Sequence, residues 1–168
     1  MLVPINDAPS FTGMPSLVWA YAFNDAGVAQ PLDPDNLDGD RLAQARQQHV
    51  WLWLHYDASD ARTAQAIAQL DLPEMAAEAL ISHDTHVSLH LEGDTAFGVF
   101  VDWRHQRGID PNKHSFARSE KEVGWLHFML GEGLLVSTRR HALRSVEQVR
   151  QHLNAGVRLD SASELLEA

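Results

Sequence analysis

The sequence predicts an α/β protein, with helices layered on a sheet, and three features carry that prediction. Residues 50–57, VWLWLHYD, place six large apolar or aromatic side chains in eight positions, a run too short and too rich in Trp for a good isolated helix. It reads as a strand buried on both faces. Helical patterns stand on either side of it, at 40–49 and 59–70, as the natural covers of those two faces. From residue 85 the apolar period changes to two, and the chain closes on an amphipathic helical pattern at 141–155.

The totals bound the rest. A chain of 168 residues is long enough for one domain with a real core. With 45% hydrophobic and 21% charged residues, it has the composition of an ordinary soluble globular protein. There is no Cys, which removes disulfides, Cys-type zinc sites and thiol chemistry and fits the cytosol. A net charge of −10 argues against general nucleic-acid binding, which needs a basic footprint, and is compatible with attracting cations. No run approaches the ~18–20 apolar residues of a membrane span, and the start has neither the charged nor the apolar region of a signal peptide.

Residues 1–16 hold three of the seven prolines and little periodicity, and read as a loose arm before a domain at 17–168. LVWAYAF at 17–23 is a strand, Asn24-Asp25-Ala26-Gly27 a turn with the right chemistry, and 28–32 the returning strand of a hairpin. DPDNLDGD, at 33–40, has four Asp but neither EF-hand spacing nor the closing Glu, so it reads as a solvated loop. In the helix at 40–49, Leu42, Ala45 and Arg46 are spaced by turns. Ser59 or Asp60 can cap the next, which puts Ala64, Ile67, Ala68 and Leu70 on one face. Pro73 opens a helix at 73–81 with Met75, Ala79 and Leu80 inward.

At 85–92, Val87, Leu89 and Leu91 alternate with His86, Ser88, His90 and Glu92, the pattern of a half-buried strand. Gly93-Asp94 turns the chain into a strand at 95–103 with Phe97, Val99, Val101 and Trp103 on one face. The polar segment 104–122 holds five of the 13 Lys and Arg. Strands at 121–130 and 134–138 follow. The closing helix aligns Leu143, Val146, Val149 and Leu153 and ends at Gly156.

Ten histidines are many for this length. The tightest group is His83, His86 and His90, the metal-ligand candidates of the chain. On a helix they would share a face and suit zinc. On the strand the period predicts, His86 and His90 stand roughly 13 Å apart at ~3.3 Å per residue, too far for one ion ligated at ~2.0–2.1 Å. His83 and His86 can still meet at the helix–strand junction, so metal binding here is expected to be weak or to borrow a ligand from another chain. His55 and His127 fall inside strands, as hydrogen-bonded core histidines rather than bases. There is no nucleophile elbow, HExxH, P-loop or G-x-G-x-x-G, and no residue pattern proposes catalysis or an organic cofactor.

The order of these pieces carries a resemblance that none carries alone. The hairpin WAYAFNDAGVAQPLD, then WLWLHYD, LPEMAAEAL, Arg107-Gly108-Ile109-Asp110 and GWLHFMLGEGLLVSTRRHALRSVEQVRQHLNAG resemble the N-terminal cytoplasmic domain of CorA-type divalent-metal transporters, and within them the ZntB zinc-transporter branch. The likeness spans about residues 17–168.

It implies an α/β/α sandwich with a mixed, mostly antiparallel sheet. It also implies a role on the cytoplasmic side of the cell membrane, reached only through two C-terminal spans beyond this chain. SASELLEA would begin the helical segment leading to a long stalk helix and those spans, where the family's Gly-Met-Asn pore loop lies. The partners implied are divalent cations, zinc first and magnesium second, and four further copies in a homopentameric funnel. Zinc is then the one ion to expect at His83, His86 and His90, and catalysis is not expected. The chain departs from the family where His83, Thr85 and His86 replace the usual Arg and Pro before the strand. The acids that hold a regulatory magnesium in the magnesium branch have no secure match, Asp102 being nearest by position. A free-standing sensor domain of the same fold is the second reading, and an enzyme with an unrecognised His/Asp site the third.

Overall fold

The computed structural model describes residues 13–105 and 123–168. The arm at 1–12 and the segment 106–122, with Arg107–Asp110, lie outside the described residues. The described chain runs β1 (Leu17–Phe23), β2 (Ala29–Leu32), α1 (Gly39–Gln48), β3 (Trp51–Asp57), α2 (Thr63–Ala68) and α3 (Glu74–Ile81). It continues through β4 (Ser88–Glu92), β5 (Thr95–Trp103), β6 (Val123–Gly131), β7 (Leu134–Arg139), α4 (Arg144–Asn154) and α5 (Ala162–Glu167).

The strands form one seven-stranded sheet in the order β2-β1-β3-β7-β6-β5-β4. Within it β3 and β7 pair in parallel, and the other neighbours are antiparallel. Helices cover both faces, so the α/β/α sandwich with a mixed, mostly antiparallel sheet is the observed architecture.

β3 is buried on both faces as its composition requires, but its covers differ from those predicted. α1, α2 and α3 all lie on one side, where Leu42, Ala45, Ala66, Ile67, Ala76 and Leu80 pack on Leu52, Leu54 and Tyr56. The other face, with Trp51 and Trp53, is closed by Val146, Val149 and Leu153 of α4 and by Leu159, Ala162 and Leu165 in and before α5. Helices adjacent to a strand in sequence need not straddle it; here the second cover comes from the far end of the chain.

Two helix faces are rotated from their predicted settings. In α2 the buried positions are Thr63, Ala66 and Ile67, while Ala64 and Ala68 are exposed. Neither Ser59 nor Asp60 caps it. The chain is held there by the Thr63 hydroxyl, which hydrogen-bonds the Asp57 carbonyl and lies 2.7 Å from Ser16 Oγ. In α3, Ala76 and Leu80 point inward and Met75 is exposed.

The largest departure is β4. Val87, Leu89 and Leu91 are 62%, 65% and 78% exposed, so the apolar alternation does not mark a buried face. β4 is the edge strand, and neither helical layer extends over it. β5 keeps its predicted face, but only Phe97 and Val99 are covered; Val101 and Trp103 are exposed.

Gly98 is what lets β4 pair at all. A Cβ there would stand 2.0 Å from the Ser88 carbonyl oxygen, a backbone atom that cannot yield. Gly98→Ala should therefore cost about 1–3 kcal/mol and strip hydrogen-exchange protection from β4 while sparing β3 and β7. Retained β4 protection would show that the close approach is not what sets the pairing. Gly27 has a similar part at the other end of the sheet. It sits at φ +69° in the β1–β2 turn, and its carbonyl accepts the Leu159 N–H at 2.9 Å, joining the turn to the α4–α5 connection.

Candidate functional site

The histidine group predicted as a metal site is divided between a connection and a strand. α3 ends at Ile81 and β4 begins at Ser88, so His83 and His86 lie in the connection and His90 in the edge strand. His86 Nδ1 meets Asp84 Oδ1 at 2.6 Å, and both residues are exposed. The His86 backbone N–H, and then that ring contact, hold the Asp84 carboxyl below the usual carboxylate range. His90 stacks on Phe97 at 5.3 Å. His83 faces a different cleft, described next. Among the described residues no group of three or more His, Asp or Glu is placed to hold a metal ion.

Asp102 is engaged elsewhere. Its carboxylate accepts the Ser145 backbone N–H at 2.8 Å and the Ser145 hydroxyl at 2.9 Å, and so caps the first turn of α4 from the neighbouring strand β5. It thereby joins α4 to the sheet.

The two core histidines are where the strand pattern put them. His55 is fully buried, stacks on Trp19 at 4.3 Å and meets Ser137 Oγ through Nδ1 at 2.7 Å. The same hydroxyl accepts Trp53 Nε1–H at 2.8 Å, while His55 Nε2 has no hydrogen-bond partner. Burial, with the charges of Arg139 and Arg150, drives the His55 pKa well below its ordinary value, so the ring is neutral. His127 donates from Nδ1 to the Ala79 carbonyl at 2.8 Å, and burial lowers its pKa as well.

The cleft at His83 was not legible in the sequence. It opens at the C-terminal ends of the parallel pair β3 and β7, with a volume of about 200 Å³. Its walls bring together Arg104 from the end of β5, Arg139 and Arg140 from the end of β7, His127 and Trp125 from β6, and His83 and His141 from connections. Among the described residues Asp84 is the one acid of that lining.

Protein oxygens orient each guanidinium. Arg104 Nε donates to the Val123 carbonyl at 2.9 Å. Arg140 donates to the carbonyls of Ala58 at 2.7 Å and Ile81 at 3.2 Å. Arg139 lies 3.4 Å from the Asp57 carboxylate. The crowding of positive charge is felt by His141, whose pKa is lowered first by desolvation and then by Arg104 and Arg139. In the sequence, Arg104 and Arg139 are 35 positions apart, and only the β5–β6–β7 meander brings them to one end of the sheet.

The solved cytoplasmic domain of ZntB from Vibrio parahaemolyticus superposes with a TM-score of 0.65 at 16% identity, over 89% of this chain and 54% of that one. Full-length CmaX gives 0.65 at 21% identity, over 95% and 45%. The soluble domain of CorA from Methanocaldococcus jannaschii gives 0.52 at 8% identity, over 84% and 48%. The chain thus spans about half the length of the solved structures it resembles, and at these identities the likeness is one of fold. No curated protein sequence matches it. No described helix is long and apolar enough to cross a membrane. The family model described as CorA-like Mg2+ transporter protein matches residues 48–168, well over half of the chain, and the protein belongs to that family.

Proposed function

We infer that the chain acts as the cytoplasmic domain of a divalent-cation transporter, with zinc as the first candidate ion and magnesium the second, and with no catalysis of its own. The observation that carries the reading is the seven-stranded mixed sheet with helices on both faces, in a chain whose residues 48–168 match the CorA-like family. In the full protein five copies would form a funnel on the cytoplasmic side. The net charge of −10 would raise cation concentration there through long-range attraction.

Direct zinc binding by His83, His86 or His90 is then expected to be weak, because the described residues bring together fewer than three convergent ligands. Calorimetric titration should give a Kd in the micromolar range or poorer, about −8 kcal/mol or less favourable. Loss of that heat in a His83→Ala/His86→Ala variant would support the site; an unchanged titration would remove it.

The transporter reading itself is tested by the coding sequence after Ala168. A long charged helix followed by two apolar spans with a Gly-Met-Asn turn between them is the expected result. A stop codon would leave a stand-alone metal-sensing domain of the same fold.

A further inference from the structure

The arginine cleft gathers groups of the sign opposite to those that attract a cation. We propose that it binds a phosphate group, free or carried on a small molecule. Among the described residues, three guanidiniums and three imidazoles line it against the single carboxylate of Asp84, in a chain whose net charge is −10. That carboxylate is already engaged by His86. Of these three arginines only Arg139 has an acid partner among the described residues, Asp57, at 3.4 Å. Arg104 and Arg140 are fastened by backbone carbonyls, which fix their direction and leave their charge in place.

Like charges gathered and oriented in this way repel one another until an anion joins them. Planar guanidinium forks match phosphate oxygens two at a time, which a spherical halide cannot exploit. A dianion suits three guanidiniums better than a single carboxylate does. The volume of about 200 Å³ is several times a water's share of about 30 Å³, so a phosphate fits with room for an attached group against Trp125.

The strand ends explain why the cleft is here. β3 and β7 run parallel and finish together, so Asp57, Ala58, Arg139, Arg140 and His141 emerge on one rim. This assignment stands independently of the transporter reading.

The test is calorimetric titration of the intact chain with inorganic phosphate, without divalent metal, and with chloride as the comparison. Millimolar or tighter phosphate binding is expected, with chloride at least about tenfold weaker. Arg104→Gln should weaken phosphate about tenfold, while Arg158→Gln, at the opposite end of the sheet, should leave it unchanged. Phosphate-induced NMR shifts of the His83 and His141 rings in the wild-type chain report the site without any substitution. Tighter binding of phenyl phosphate than of inorganic phosphate would assign the carried form, and the reverse the free ion. No heat at millimolar phosphate, chloride binding as well as phosphate, or equal losses in both variants would each overturn the proposal.

Discussion

Trp53→Ala should lower the free energy of unfolding by about 3–5 kcal/mol, a large part of the ~5–15 kcal/mol that holds a typical domain together. Trp53 is 1% exposed at the middle of β3. Its ring meets Trp19 edge-on at 5.6 Å and stacks on Tyr21 at 5.9 Å, and its Nε1–H donates to Ser137 Oγ at 2.8 Å. Truncation removes the ring contacts, opens a cavity beneath α4 and α5 that β3 cannot collapse into, and frees the hydroxyl that positions His55. Urea denaturation followed by circular dichroism measures the loss. Leu91→Ala is the contrast: Leu91 is 78% exposed on the edge strand, so its truncation should stay within about 0.5 kcal/mol. Equal losses at the two positions would contradict the described core.

Stability should also fall as pH is lowered from about 7 towards 5, and His55 is the main cause. Its folded pKa lies well below the ordinary value of 6.5, chiefly through burial. Below pH 6.5 the unfolded chain therefore takes up a proton that the folded chain refuses. A group depressed in this way contributes stability that is complete above the unfolded pKa and is lost as pH falls, at up to ~1.4 kcal/mol per pH unit. His127, shifted in the same direction, adds to the slope.

Asp60, held at about 2 by Arg62, and Asp84, lowered by His86, act with the same sign but below their ordinary value of 3.8, so the two windows separate. Unfolding free energies measured across pH 5–7 should show the slope, and His55→Gln should reduce it by about one proton whatever its effect on total stability. A flat profile in the wild-type chain would mean that His55 is not a neutral, buried ring.

The parts legible in the sequence were those set by local pattern. VWLWLHYD announced a strand buried on both faces because no solvated strand tolerates Trp51, Leu52, Trp53 and Leu54 in succession. The Asn24–Gly27 turn and the stripe Val146, Val149, Leu153 announced themselves through φ preferences and the 3.6-residue period. The same logic failed at β4. Val87, Leu89 and Leu91 have the alternation of a half-buried strand, but alternation states only that one face is apolar, and burial depends on whether another layer reaches it. α1 and α2 were recognisable as covers of β3, but their placement on one face follows from chain connections that no window of sequence contains.

By itself, then, the sequence determined the α/β class, the order and approximate bounds of the strands and helices, the burial of β3 and the core character of His55 and His127. These follow from side-chain chemistry read over a few residues. Only the tertiary structure decided which helices close which face, that β4 is an exposed edge, that Asp102 caps α4, and that His83 joins Arg104, Arg139, Arg140 and His141 in one cleft. Those outcomes rest on contacts between residues tens of positions apart, brought together by the parallel pairing of β3 with β7 and by the meander beside it. Local propensity carries no information about such encounters, because their energy exists only once the sheet has formed.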